Sequence, residues 1–128
     1  QRRRAHRRRT FGDYELFKSG IDGSSNQGAW KRDLPVRPRA LLKAGSHLFL
    51  GVMPKEIPED DPHTAYEGRS GGAIWVCAES DGSKIAEHAL PSPVVWDGMA
   101  AAGERLYLCT RDGQVMCMAS GEGREQTR

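Results

Sequence analysis

The chain has 128 residues, 38% hydrophobic and 28% charged, a length suited to one domain with one core. No apolar stretch approaches the roughly 18 residues of a membrane-spanning helix, and no secretory n-region and h-region open the chain, which leaves the compartment undetermined. The net charge of +2 conceals an asymmetry, because six arginines sit in QRRRAHRRR while residues 10–128 carry 13 Lys or Arg against 17 Asp or Glu.

Residues 1–9 have no apolar periodicity and are expected to form a basic tail. The segment 10–31 offers a short apolar run, Tyr14 to Phe17, then a Gly, Ser and Asn cluster, a weak strand followed by a loop. Residues 1–33 are therefore taken as a basic tail and a weakly structured lead-in. Ala40–Leu42 and Leu48–Val52, separated by Ala44-Gly45-Ser46, have the pattern of a hairpin. Residues 53–71 contain three prolines and an acidic cluster and are expected to form a surface loop.

GAIWVCA and KIAEHAL, joined by ESDGS, predict two more strands. PSP interrupts the pattern at 91–93, and VVWDGMAAAGERLYLCTRDGQVMCM supplies further strands up to residue 119, with 120–128 left as a disordered tail. Cys77, Cys109 and Cys117 lie inside apolar runs without CxxC or metal-ligand spacing and read as small hydrophobes. A two-residue turn at Asp112-Gly113 would set Leu108 opposite Cys117 and Cys109 opposite Met116. The two thiols would then point to opposite faces, which argues against a disulfide.

Two segments repeat. LLKAGSHLFLGV (41–52) and MAAAGERLYLCT (99–110) align at an offset of 58, matching Ala44 with Ala102, Gly45 with Gly103, and Leu48-Phe49-Leu50 with Leu106-Tyr107-Leu108. GGAIWVCA is echoed by DGQVMCMA after a shorter link. Four strands in a repeat of about 40 to 50 residues, apolar on both faces, are the pattern of a β-propeller blade. The predicted fold class is all-β, with antiparallel four-stranded blades in an incomplete propeller of about one and a half blades. Residues 34–90 form the first blade, with the long loop 53–71, and residues 94–119 part of the next. A ring needs roughly four to eight blades, so the chain is expected to be the end of a longer polypeptide whose upstream blades are its partners.

The segments LPVRPRALLKAGSHLFLGVMP, EGRSGGAIWVCAESDGSKIAEHAL and VVWDGMAAAGERLYLCTRDGQVMCM together resemble the C-terminal end of bacterial, planctomycete-type proteins built from pyrroloquinoline-quinone-like (PQQ-like) β-propeller repeats. The likeness covers residues 34–118. It implies a periplasmic or other extracytoplasmic location and a quinoprotein-like scaffold. In that family a tryptophan about four residues beyond a turn glycine docks between blades. Aligning Gly82 on that glycine puts Ala86 at the tryptophan position, so the resemblance carries over no cofactor.

Candidate chemistry is sparse. Glu59, Asp60, Asp61, His63 and Glu67 crowd one loop, but Pro58 and Pro62 interrupt the alternating spacing of a calcium site, and a solvated acidic loop is the expectation. Tyr66 and Arg69 in that loop are the candidate contacts with a ligand or a neighbouring domain. Trp75 and Trp96 are expected to be buried between blades, and Asp97 to serve a WDG turn. His47 and His88 are expected at the surface, and no GxSxG, HExxH, P-loop or dinucleotide motif occurs. No catalytic, cofactor or metal residue is assigned, and the segment alone is not expected to be an enzyme. The leading expectation is a non-catalytic scaffold for a protein or small ligand. One alternative is the closing segment of a quinoprotein oxidoreductase holding PQQ with calcium. Another is a small β domain whose arginine arm binds nucleic acid weakly and with strong salt dependence.

Overall fold

The computed structural model describes residues 13–19, 28–54, 71–119 and 125–127. Among these every regular element is a strand. They are β1 (Tyr14–Lys18), β2 (Trp30–Leu34), β3 (Val36–Ala44), β4 (His47–Pro54), β5 (Gly72–Ala78), β6 (Lys84–Leu90), β7 (Val94–Ala102), β8 (Arg105–Thr110), β9 (Val115–Ala119) and β10 (Glu125–Thr127). The strands form three antiparallel sheets: a β1-β2 hairpin, a first meander β3-β4-β5-β6 and a second meander β7-β8-β9-β10. The chain is all-β, as its pattern predicts.

Each meander opens with the repeated hairpin. Gly45, at a φ of 60°, begins the two-residue turn that pairs Ala44 with His47, and Gly103 begins the equivalent turn that pairs Ala102 with Arg105. The equivalence reaches the side chains. Leu48 and Leu50 on β4, like Leu106 and Leu108 on β8, point to one face and are buried, while Phe49 and Tyr107 point to the other.

Two cores separate the layers. Leu16 and Leu34 of the hairpin pack with Leu48, Leu50, Val52, Trp75 and Cys77 of the first meander, with Tyr14 and Trp30 at the margin. On the other face of that meander, Ala40, Ile74 and Leu90 meet Val94, Leu106, Leu108 and Met116 of the second, with Leu42 and Phe49 alongside. The first meander is thus apolar on both faces, with the hairpin over part of one and the second meander over the other. Trp75 is buried in the first core, as its strand context predicts.

Several features differ from the sequence pattern. Met53 and Pro54, assigned to the surface loop 53–71, complete β4, and Met53 is buried. Residues 30–33, assigned to a weakly structured lead-in, form β2 together with Leu34, paired with β1 from Tyr14 against Leu34 to Lys18 against Trp30. Glu125–Thr127, assigned to a tail, runs along β9, so the second meander has four strands instead of three. The β8-β9 turn is longer by one residue than Asp112-Gly113 suggests. Gly113 N–H donates to Thr110 C=O and Thr110 N–H to Gln114 C=O, with Gly113 at a φ of 87°, a type I turn closed by a glycine bulge. The register therefore shifts, and Leu108 faces Met116, Cys109 faces Val115 and Tyr107 faces Cys117. Cys109 and Cys117 lie on the same face as diagonal neighbours, roughly 7 to 8 Å apart in such a ladder, too far for a disulfide. All three cysteines are free thiols.

Candidate functional site

The contact loop predicted from the sequence, with Tyr66 and Arg69, lies outside the described residues, as does the arginine arm of residues 1–9. The described residues bring together two other constellations, one where the hairpin meets the first meander and one where the two meanders meet.

The first is an indole dock. The β5-β6 turn folds tightly, with Gly82 N–H donating to Ala78 C=O and Ala78 N–H to Ser83 C=O. Asp81 accepts from both the amide and the hydroxyl of Ser83, and these bonds hold its carboxyl below the usual carboxylate range. Trp30 of β2 lies over this turn. Its Nε1–H donates to Glu79 C=O at 2.9 Å, and its ring passes so near Gly82 that a Cβ there would sit 2.4 Å from it. Gly82 also has a φ of 74°, so both the backbone conformation and the space require glycine. Arg32 Nε donates to Asp81 C=O at 3.0 Å, and Lys18 Nζ lies 2.8 Å from the Glu79 carboxylate. Three side chains of the hairpin thus clasp one turn of the next sheet.

Sequence comparison within the chain explains the dock. WKRDLP (30–35) and AEHALP (86–91) end in the same Leu-Pro, and Leu34 and Leu90 occupy matching places in the two cores. Trp30 therefore stands in the hairpin where Ala86 stands one unit later. The shared Leu-Pro was the signal by which the sequence could have placed this tryptophan.

The second constellation sits where the first strands of the two meanders meet. Both strands bulge at the same point of the repeat. β3 shifts register between Pro38 and Ala40, and β7 between Val94 and Met99, with Asp97 at a φ of 52°. Bulges re-aim side chains, and here the guanidinium of Arg39 lies 5.3 Å from the centroid of the Trp96 ring, a cation-π contact. Trp96 is 68% exposed, a correction to its expected burial, because the bulge carries it off the packed face of β7. Arg37 is buried beside this pair, with Nη2 donating to Met53 Sδ. Burial lowers the Arg39 pKa from its ordinary value, and the like charges of Arg37 and Arg111 act in the same direction. Asp97 lies within β7 at this bulge and not in the WDG turn expected of it, with a positive φ that Asp tolerates better than most residues.

What this arrangement offers chemically is positive charge beside an open aromatic face, a surface for contact with an anionic or aromatic group. The described residues contain no cluster of three or more His, Cys, Asp or Glu able to hold a metal ion. Burial pushes the Cys77 thiol up from its usual value and keeps it neutral, the opposite of an activated nucleophile. His47 and His88 are exposed on β4 and β6. Among the described residues no helix is long and apolar enough to cross a membrane. Comparison with protein-family models, with curated proteins and with solved structures finds no match to this chain.

Proposed function

We propose that the chain is a segment of a PQQ-like β-propeller repeat protein and acts as a non-catalytic scaffold for protein or small-ligand contacts. The observation that carries this reading is the succession of layers, a two-stranded hairpin and then two four-stranded meanders. Each meander turns its Leu-x-Leu face toward the layer before it. Stacked four-stranded meanders of one polarity are what radial repetition of blades requires. The hairpin corresponds to the outer half of a preceding blade, and the 58%-exposed Leu41 lies on the face of β3 that the missing half of that blade would cover.

The indole dock supports the PQQ-like assignment specifically. Trp30 on the Gly82 turn resembles the docking tryptophan of the family, one unit upstream of the position where Ala86 lacks it. The same dock keeps the quinoprotein oxidoreductase as a second reading, to be decided by whether the remaining units build a quinone site. In the scaffold reading, the Arg39-Trp96 patch is the contact surface.

The test is the sequence and small-angle scattering profile of the full polypeptide that carries this segment. Further units with a Gly-Leu-aromatic-Leu hairpin, in a compact disc-shaped particle, are expected. A polypeptide with no further units, or an elongated particle, would overturn the propeller.

A further inference from the structure

The outer face of the second meander is built from the counterparts of a covered one. The repeat matches Phe49 with Tyr107, and the echo of GGAIWVCA in DGQVMCMA matches Ile74 with Val115 and Val76 with Cys117. In the first meander Ile74 is 0% exposed and Phe49 packs into the core shared with the second meander. In the second meander Val115 is 50% exposed and Tyr107 39%. Pairing of Tyr107 with Cys117 and of Cys109 with Val115 puts these four side chains on one face of two neighbouring strands. A sheet meant to meet water on that side alternates apolar with polar residues. Here the alternation yields an apolar patch on the open side as well.

The rest of the molecule identifies what covers such a face. The hairpin presents Leu16 and Leu34 to Leu48 and Leu50 on the Leu-x-Leu strand of the first meander. The first meander in turn presents Ile74 and Leu90 to Leu106 and Leu108 on the same strand of the second. We propose that the face formed by Tyr107, Cys109, Val115 and Cys117 docks the Leu-x-Leu face of a further four-stranded sheet in the same polypeptide. This rests on the repeated-sheet reading above but not on closure of a ring.

The two thiols on the face report its occupancy, and buried Cys77 reports whether the fold is intact. The experiment is alkylation of the native full polypeptide with N-ethylmaleimide, read at each cysteine by mass spectrometry and referenced to the urea-unfolded chain. Docking predicts that Cys109 reacts on the order of tenfold or more slowly than in urea, independent of protein concentration. V115D is expected to restore Cys109 reactivity while Cys77 stays protected. Cys109 labelling at the unfolded rate beside a protected Cys77 would overturn the proposal. Protection that appears only as concentration rises, with a dimer in native mass spectrometry, would also overturn it by assigning the face to a second copy. Protection within a particle whose scattering is an open stack would uphold the docking and remove the ring.

Discussion

Gly82 and Gly113 both have positive φ, at 74° and 87°, and both stand in turns between strands, yet they answer to different constraints. An added Cβ at Gly113 meets nothing within 4 Å, so G113A has to bear only the left-handed backbone, about 1 kcal/mol. At Gly82 the same methyl would drive into the Trp30 ring, adding an overpacking cost. G82A is therefore expected to destabilise the fold by about 2 to 4 kcal/mol and G113A by about half of that or less. Urea denaturation of the two variants in parallel measures the difference, and equal effects would mean that the indole does not hold the turn. The Gly103-Glu104 turn supplies the opposite case. Both residues have positive φ, at 55° and 62°, the type I′ pattern that favours Asn-Gly-like pairs, and Glu104 gains nothing from it. E104G is expected to raise stability by roughly 0.5 to 1 kcal/mol, visible as a higher denaturation midpoint at unchanged m-value.

The β1-β2 hairpin is held to the first meander through one turn, and its charge contact can be isolated from its packing. The hydrogen bond from Lys18 and then its charge keep the Glu79 carboxyl below its ordinary value against an opposing effect of burial, with Lys43 adding the smallest contribution. A depressed carboxylate stabilises the fold above its unfolded pKa and loses that contribution as pH falls through the lower folded value. E79Q leaves the backbone carbonyl for Trp30 in place and removes only the charge. Its thermal midpoint is expected to lie below that of the parent near pH 7 and to converge with it below about pH 4. A gap that persists in acid would assign the effect to packing. Asp81 also titrates low but is common to both proteins. The hairpins of the two meanders were legible in the sequence because Gly turns and Leu-x-Leu periodicity are local. β2 was not, since WKRDL carries three charged residues in five and becomes a strand through pairing with β1 and its grip on the Gly82 turn. Trp96 was misplaced for a related reason, because periodicity extrapolated across a bulge puts a side chain on the wrong face. The contact residues Tyr66 and Arg69 lie outside the described part, whereas the Arg39-Trp96 pair depends on bulges in two strands almost sixty residues apart that no local pattern reveals.

At the scale of the whole molecule, the chain contains the same residue position in two states of burial, and that makes the stacking measurable. Ile74 and Val115 are counterparts in the repeat, each at the fourth position of its matched segment, but one is sealed between meanders and the other faces outward. Truncation of a sealed Ile to Ala costs the lost transfer energy and the cavity left behind, about 2 to 5 kcal/mol. Truncation of a half-exposed Val costs well under that, about 0.5 kcal/mol. The prediction is therefore conditional on context. I74A is expected to be severe whether the segment stands alone or within its full polypeptide, whereas V115A is expected to be near neutral in the segment and to approach about 1 to 3 kcal/mol where a further sheet covers it. Denaturant unfolding of the full polypeptide carrying each substitution checks this, with hydrogen exchange resolving the β8-β9 region from the rest. A V115A effect that stays near zero there would mean that the outer face of the second meander remains in water. The two halves of the repeat would then serve different ends, one as an inner layer and one as an outer wall.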